Sequence, residues 1–179
     1  MVDKITSTYL NKNPLIRLFS RTKVNIAIRL ADLKKNEFIL DFGCGEGWLK
    51  DNLRKQGYSV LGYDITPLQS EIKDYTQVKP NKIFALDVFE HISKEQIEEI
   101  IKNFKKMNPS FQLITAIPTE NLISRKVRKL LGKDERVKDH ITPIKEILKI
   151  LNRELILVKK FNFLTVSKIF VFKNKPNYI

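Results

Sequence analysis

Residues 38–47, Phe-Ile-Leu-Asp-Phe-Gly-Cys-Gly-Glu-Gly, run from an apolar segment into Gly-x-Gly-x-Gly, and a helical pattern follows at once. Glycines at this spacing let the backbone turn tightly and approach a ligand where any Cβ would collide. The helix that follows offers unpaired N–H groups at the same place. Two ligand chemistries compete for such a loop. A dinucleotide site needs Gly-x-Gly-x-x-Gly, with the pyrophosphate on the helix N-terminus. Here Gly43, Gly45 and Gly47 depart from that spacing, with Trp48 next, which favours an adenosyl ligand poorer in phosphate. Asp41 precedes the glycines, Asp64 ends a second apolar run, and Asp87 ends a third just before Glu90 and His91. A carboxylate at the end of a buried strand needs a partner, so each of the three is either a ligand contact or a local cap.

Strands and helices must alternate to position these residues. Apolar runs at 37–42, 58–63, 82–88 and 111–117 read as strands, the last stopped by Pro118. Helical spacing covers about 14–33 (one amphipathic helix or a pair), 46–56, 94–106 and 144–152, with a further patch at 121–131. Ser93 is the expected cap of the third helix, whose Ile97, Ile100, Ile101 and Phe104 share a face. Two last strands, 154–161 and 165–173, have no helix between them and predict an antiparallel hairpin turning at Asn162. The expected fold is an α/β three-layer sandwich with a mostly parallel sheet of six to seven strands. One strand is reversed, and crossovers are right-handed. Residues 1–36 are expected to form a basic helical segment packed on a single domain spanning 37–179.

Composition narrows the class. The chain has 179 residues, 42% of them hydrophobic, enough to build a core and too many for a disordered or collagen-like protein. No run reaches the ~18 apolar residues of a membrane span. The start lacks the layout of a signal peptide. The single cysteine, Cys44, excludes a disulfide framework and a thiolate zinc cluster. A cytoplasmic protein is the expectation. Charge is unevenly spread. Residues 1–36 carry 8 Lys/Arg against 2 Asp/Glu, 37–120 carry 10 against 13, and 121–179 carry 15 against 5. Basic flanks around a mildly acidic centre predict an anionic partner if they converge; the competing reading is a generally basic surface.

The string LDFGCGEG resembles the first motif of class I, Rossmann-like S-adenosylmethionine-dependent methyltransferases. Asp64, 17 residues after Gly47, falls where that family keeps an acid for the ribose hydroxyls. Leu86-Asp87-Val88-Phe89-Glu90-His91-Ile92 resembles a signature frequent in the type-11-like subgroup acting on small molecules, quinones, lipids and glycans. Asp139-His140-Ile141-Thr142-Pro143 resembles a later block of the same subgroup. The resemblance covers about residues 37–173. It implies S-adenosyl-L-methionine as cofactor, held by Asp41, Gly43, Cys44, Gly45, Gly47, Asp64, Ile65, Asp87 and Val88, with Asp41 near the amino group of the methionine part. The chain departs from the pattern between Asp64 and residue 82, where the family's third strand is missing or vestigial and only Asp74 offers an adenine contact.

Methyl transfer from a sulfonium asks mainly for alignment, because the donor is already activated. A hydroxyl or ammonium acceptor would add the need for a base, and His91 or His140 is the candidate to take that proton. Asp87, Glu90, His91 and His140 also form a conceivable divalent-metal set; the metal-free reading ranks above it. Cys44 reads as a small filler of the loop rather than a nucleophile. Trp48 and Tyr63 either line the adenosyl pocket or pack. The expected acceptor is an anionic small molecule, lipid-linked compound or glycan, with peripheral membrane contact compatible with it. RNA or DNA ranks second, because 125–138 has seven Lys/Arg but the stretch 121–140 lacks stacking aromatics. A non-catalytic interaction module ranks third.

Overall fold

The computed structural model describes residues 12–119 and 140–175. The predicted helical patch at 121–131, the basic segment 125–138 and Asp139 lie outside them. The first helix, α1, is a single one, Pro14–Ala31, and not a pair. Asn13 caps it by accepting the Leu15 N–H at 2.9 Å, and Pro14 occupies the first turn, where its missing donor costs nothing. Then follow β1 (Phe38–Phe42), α2 (Trp48–Lys55), β2 (Ser59–Tyr63), β3 (Lys82–Leu86), α3 (Lys94–Met107), β4 (Gln112–Pro118), α4 (Ile144–Glu154), β5 (Leu155–Phe163) and β6 (Ser167–Asn174). Ser93 and Gln96 form a reciprocal capping box at the start of α3.

The six strands make one sheet in the order β2-β1-β3-β4-β6-β5. β2, β1, β3 and β4 run parallel, while β6 is antiparallel to both β4 and β5. Successive residues of the central strands face opposite layers. Leu40, Ile83, Leu113 and Phe172 pack with Ile97, Ile101 and Phe104 of α3 and with Ile147 and Leu151 of α4. Ile39, Phe84, Ile114 and Val171 pack on the other side with Val24, Ala27 and Ala31 of α1 and with Leu49 and Leu53 of α2. The sandwich therefore has three layers, and its inner strands are apolar on both faces.

Two expectations are corrected. β4 continues through Pro118 instead of ending before it. The hairpin turns at 164–166, two residues beyond Asn162, because Phe163 stays in the strand with its ring 4.8 Å from that of Phe19.

Among the described residues no strand lies between Asp64 and Lys82; this stretch holds turns and a short 3-10 turn, Tyr75–Gln77. Glu71 takes over part of the missing strand's bonding. Its N–H donates to the Gly62 carbonyl at 3.0 Å, and its Oε2 accepts the Gly62 N–H at 2.9 Å. The Arg54 guanidinium first, then Lys50 and the Gly62 N–H, hold the Glu71 carboxyl down at about 2.

Candidate active site

The parallel strands end at one edge of the sheet, and there the predicted residues gather. Gly43, Gly45 and Gly47 all have left-handed backbones, with φ of +75°, +50° and +80°. The Gly43 and Cys44 N–H groups donate to the Tyr63 carbonyl at 2.8 and 3.0 Å, which ties the loop to the end of β2. A Cβ on Gly43 would stand 2.5 Å from Val88 Cγ2, so Val88 packs under the loop. A Cβ on Gly45 would meet no protein atom within 4 Å, so that residue faces open space.

Two carboxylates flank the loop. Asp41 is buried and accepts the Lys50 N–H of α2 at 3.2 Å. Burial pushes its carboxyl up to about 7, and the charges of Asp64 and Glu71 add to this against the pull of Lys50. Asp64 accepts the Gly45 N–H at 2.8 Å with one oxygen and the Thr66 N–H at 2.9 Å with the other. Each oxygen keeps a lone pair for a ligand hydroxyl. Ile65 follows, 87% exposed, with Leu68 also exposed near it in sequence. Cys44 is buried, its Sγ 3.4 Å from the Gln69 carbonyl, and burial pushes its thiol up to about 12; at neutral pH it is an inert thiol.

Asp87 has a left-handed backbone, φ +56°, and its N–H donates to the Ala116 carbonyl at 2.9 Å. Its carboxylate pairs with Lys23 of α1, whose side chain is 9% exposed. Lys23 is a partner of Asp87 that sequence reasoning missed, because a lysine in a basic helix reads as a solvated one. Glu90 is buried, and its carbonyl accepts the Ile141 N–H at 2.7 Å and the Thr142 N–H at 3.2 Å, fastening the segment that carries His140. The His91 and His140 rings meet edge to face, with centroids 5.1 Å apart. Candidate ligand atoms of Glu90, His91 and His140 lie within 4.8 Å of one another. Asp87, the fourth member of the conceived metal set, is turned to Lys23.

Tyr63 stacks on Phe42 at 5.3 Å and meets Tyr75 at 4.9 Å, so it packs in an aromatic cluster. Trp48, the first residue of α2, carries the Arg21 guanidinium 5.4 Å above its ring. Asp74 is exposed and caps the 3-10 turn by accepting the Thr76 N–H at 2.9 Å. Among the described residues no helix is long and apolar enough to cross a membrane.

The chain is similar in structure to magnesium protoporphyrin IX methyltransferase of Synechocystis PCC 6803 with bound SAH, at 19% identity and a TM-score of 0.65. The match covers 92% of this chain and 89% of that one. It is similar to N-methyltransferase NodS of Bradyrhizobium japonicum WM9 in complex with S-adenosyl-L-homocysteine, at 17% identity and a TM-score of 0.67, covering 93% and 91%. By sequence, no curated protein matches it. These likenesses bear out the expected fold, a mostly parallel sheet between helices with a terminal antiparallel hairpin. A family model described as "Methyltransferase domain" matches residues 16–152, which is most of the chain and includes most of α1, the glycine loop, Asp64, Asp87 and His140. The chain belongs to the methyltransferase-domain family.

Proposed function

We propose that this protein transfers a methyl group from S-adenosyl-L-methionine to a small anionic acceptor, either free or carried on a lipid or glycan. The observation that carries the cofactor half is the glycine loop itself. Gly45 faces open space, its N–H is held by Asp64, and the buried Asp41 stands near the end of the strand that leads into the loop, an arrangement suited to a ligand bearing both hydroxyls and an ammonium. The bound sulfonium supplies an activated methyl group. Asp41 would take the ammonium of the methionine part and Asp64 the ribose hydroxyls. Ile65 would offer an apolar face to the adenine, and Asp87 and Val88 would close the floor beside the glycines. His91 and His140 stand at the same sheet edge and would accept the proton of a hydroxyl or ammonium acceptor.

The small-molecule reading draws support from the solved structures above, one named for magnesium protoporphyrin IX and one for N-methylation. The anionic reading draws on the basic flanks. A methyl-transfer screen over phosphorylated and carboxylated metabolites, lipid extracts, RNA and DNA tests both. Transfer confined to neutral acceptors defeats the anionic half. Transfer to nucleic acid, with log affinity falling steeply against log salt, favours the second-ranked reading.

Two further results are expected. Asp64→Ala removes charge-assisted hydrogen bonds to the ribose and the anchor of the Gly45 N–H. It should cost about 1.5–3 kcal/mol of cofactor binding, a ten- to hundredfold rise in Kd by calorimetry. Unchanged affinity would mean that Asp64 serves only its own turn. Activity should also survive EDTA, since in-line transfer from a sulfonium needs no metal and Asp87 is engaged by Lys23. Loss on chelation with recovery in magnesium or manganese would make Glu90, His91 and His140 a coordinating set.

A further inference from the structure

Among the described residues, the most exposed large apolar side chains gather at one end of the molecule. Leu15, Leu18, Ile65, Leu68, Ile141 and Leu164 range from 63% exposed at Leu15 to 98% at Leu68. Leu157, Val158 and Phe161 are less exposed and lie along β5. Ile65 follows Asp64 and has a use in the adenine face proposed above. The other five take no part in the cofactor site.

The topology explains why they share an end. α1 runs against the parallel strands: the Ala31 carbonyl accepts the Lys82 ammonium at the start of β3, at 3.0 Å, and Lys23 meets Asp87 just past the end of that strand. At ~1.5 Å per residue, Leu18 and Leu15 stand about 8 and about 12 Å farther along the helix axis, beyond the strand ends. The 164–166 turn lies past Pro118, which pairs with Ser167, and the contact of Phe163 with Phe19 ties that turn to the same half of α1. The Ile141 N–H is held by the Glu90 carbonyl past the end of β3. Leu68 sits in the turn that the Gln69 N–H closes on the Thr66 carbonyl at 2.9 Å, past the end of β2. The five therefore cross the sheet end from β2 to the β5–β6 turn, with the glycine loop at the end of β1 between them.

A single exposed leucine is ordinary, but several around one site mark an interaction surface. Leu18 lies on the α1 face that it shares with the exposed Thr22, Asn25 and Arg29, opposite the buried Ser20 and Ala27. That face turns apolar only where the helix has passed the sheet. The charge on this part of the chain suits an anion. α1 contains no Asp or Glu, and Lys12 and Arg17 flank Leu15 and Leu18 in sequence. Thr119 and His140, the described residues on either side of 120–139, both stand at this end, and by sequence 125–138 holds seven Lys/Arg against two acids. A folded protein partner needs a contiguous complementary surface. Separate apolar points with basic residues among them fit a lipid surface, whose headgroups and chains yield around each one.

We infer that this end of the protein seats on an anionic lipid bilayer. Leu15, Leu18, Leu68, Ile141 and Leu164 enter the boundary between headgroups and acyl chains, and the basic residues meet lipid phosphates. The glycine loop then opens toward the bilayer. The inference rests on the acceptor reading above and narrows it to the lipid-carried form, an anionic amphiphile met at that surface.

Vesicle co-sedimentation of the full chain tests the docking, and calorimetry with S-adenosyl-L-homocysteine follows the cofactor site separately. Wild type should bind mixed phosphatidylcholine–phosphatidylglycerol vesicles about tenfold more tightly than phosphatidylcholine alone, and added salt should weaken that binding. Combining Leu15→Ser, Leu18→Ser and Leu164→Asn should lower vesicle affinity about tenfold and leave the S-adenosyl-L-homocysteine Kd within about twofold. Asparagine suits the left-handed backbone at 164, φ +47°. Leu157→Ser with Val158→Ser on β5 should change neither quantity. A wild type that ignores both vesicles, or binds both equally, overturns the inference, and neither comparison needs a variant to fold. So does a triple variant that sediments like wild type, or a β5 variant that loses as much. A wild-type dimer in light scattering that the triple variant turns into a monomer assigns the surface to a second copy and overturns it too. Vesicle binding without any heat from S-adenosyl-L-homocysteine would sink the cofactor reading and leave the docking surface standing.

Discussion

Gly45→Val should abolish cofactor binding, with Kd raised more than a hundredfold, while the chain still folds. The new Cβ meets no protein atom within 4 Å, so nothing in the core resists it. A branched residue at φ +50° costs about 1–2 kcal/mol of backbone strain, a loss a domain of this size survives. The same open space is where a ligand must pass close to the backbone. Circular dichroism should show a folded protein melting several degrees low, and calorimetry with S-adenosyl-L-homocysteine should show no heat. Wild type should give no heat with NAD, whose pyrophosphate needs the other glycine spacing. Gly43→Ala behaves differently: its Cβ runs into Val88, so it should lose stability before it loses affinity. If Gly45→Val binds normally, the loop is not the cofactor's cradle.

Asp41→Asn should move stability and binding in opposite directions. The Asp41 carboxyl is raised from 3.8 to about 7 by burial. A raised carboxyl favours the folded state while protonated, so its contribution is complete below about pH 4 and is lost as pH climbs through 7. Asparagine keeps an oxygen for the Lys50 N–H and carries no charge to desolvate. The ligand-free variant should therefore be more stable than wild type above pH 7, on the order of a few kcal/mol, with the gap closing toward pH 4. Cofactor affinity runs the other way. Wild type should bind more tightly as pH rises to about 7 and then level off, because only the ionised carboxylate pairs with an ammonium. The variant should bind ten- to hundredfold more weakly above pH 7 and lack that dependence. Thermal melts and calorimetry from pH 5 to 8 decide it; a wild type whose affinity is flat across that range removes Asp41 from the cofactor.

The parts of this protein that were legible in its sequence are those whose cause is local. The glycine loop announces itself because left-handed backbone at three alternate positions asks for glycine at each. The start of α3 does so because a Ser–Gln capping box needs a fixed spacing. The hairpin misled because its turn sets Leu164 and Thr165 in left-handed conformations, φ +47° and +59°, where Asn162 carried the stronger turn signal. The order is imposed from outside, by the contact of Phe163 with Phe19 across more than a hundred residues. Lys23 and Glu71 were illegible for the same reason. Each looks like a solvated charge until the fold delivers Asp87 to one and the edge of β2 to the other. Arg21 likewise reads as one of eight basic residues in 1–36, and only its seat on Trp48 separates it from the rest.

The bonds at the outer side of β2 also bear on how the protein behaves in a crowd of its own copies. A sheet that stops one strand early presents backbone groups to any passing extended chain, the commonest route to edge-to-edge aggregation. Here the Val60 carbonyl is taken by Arg54 at 2.6 Å, and both backbone groups of Gly62 are taken by Glu71. The clasp leaves a row of charged side chains where a neighbour's strand would dock. The clasp thus closes this edge to strand pairing, and a Glu71→Ala chain would carry an open template there.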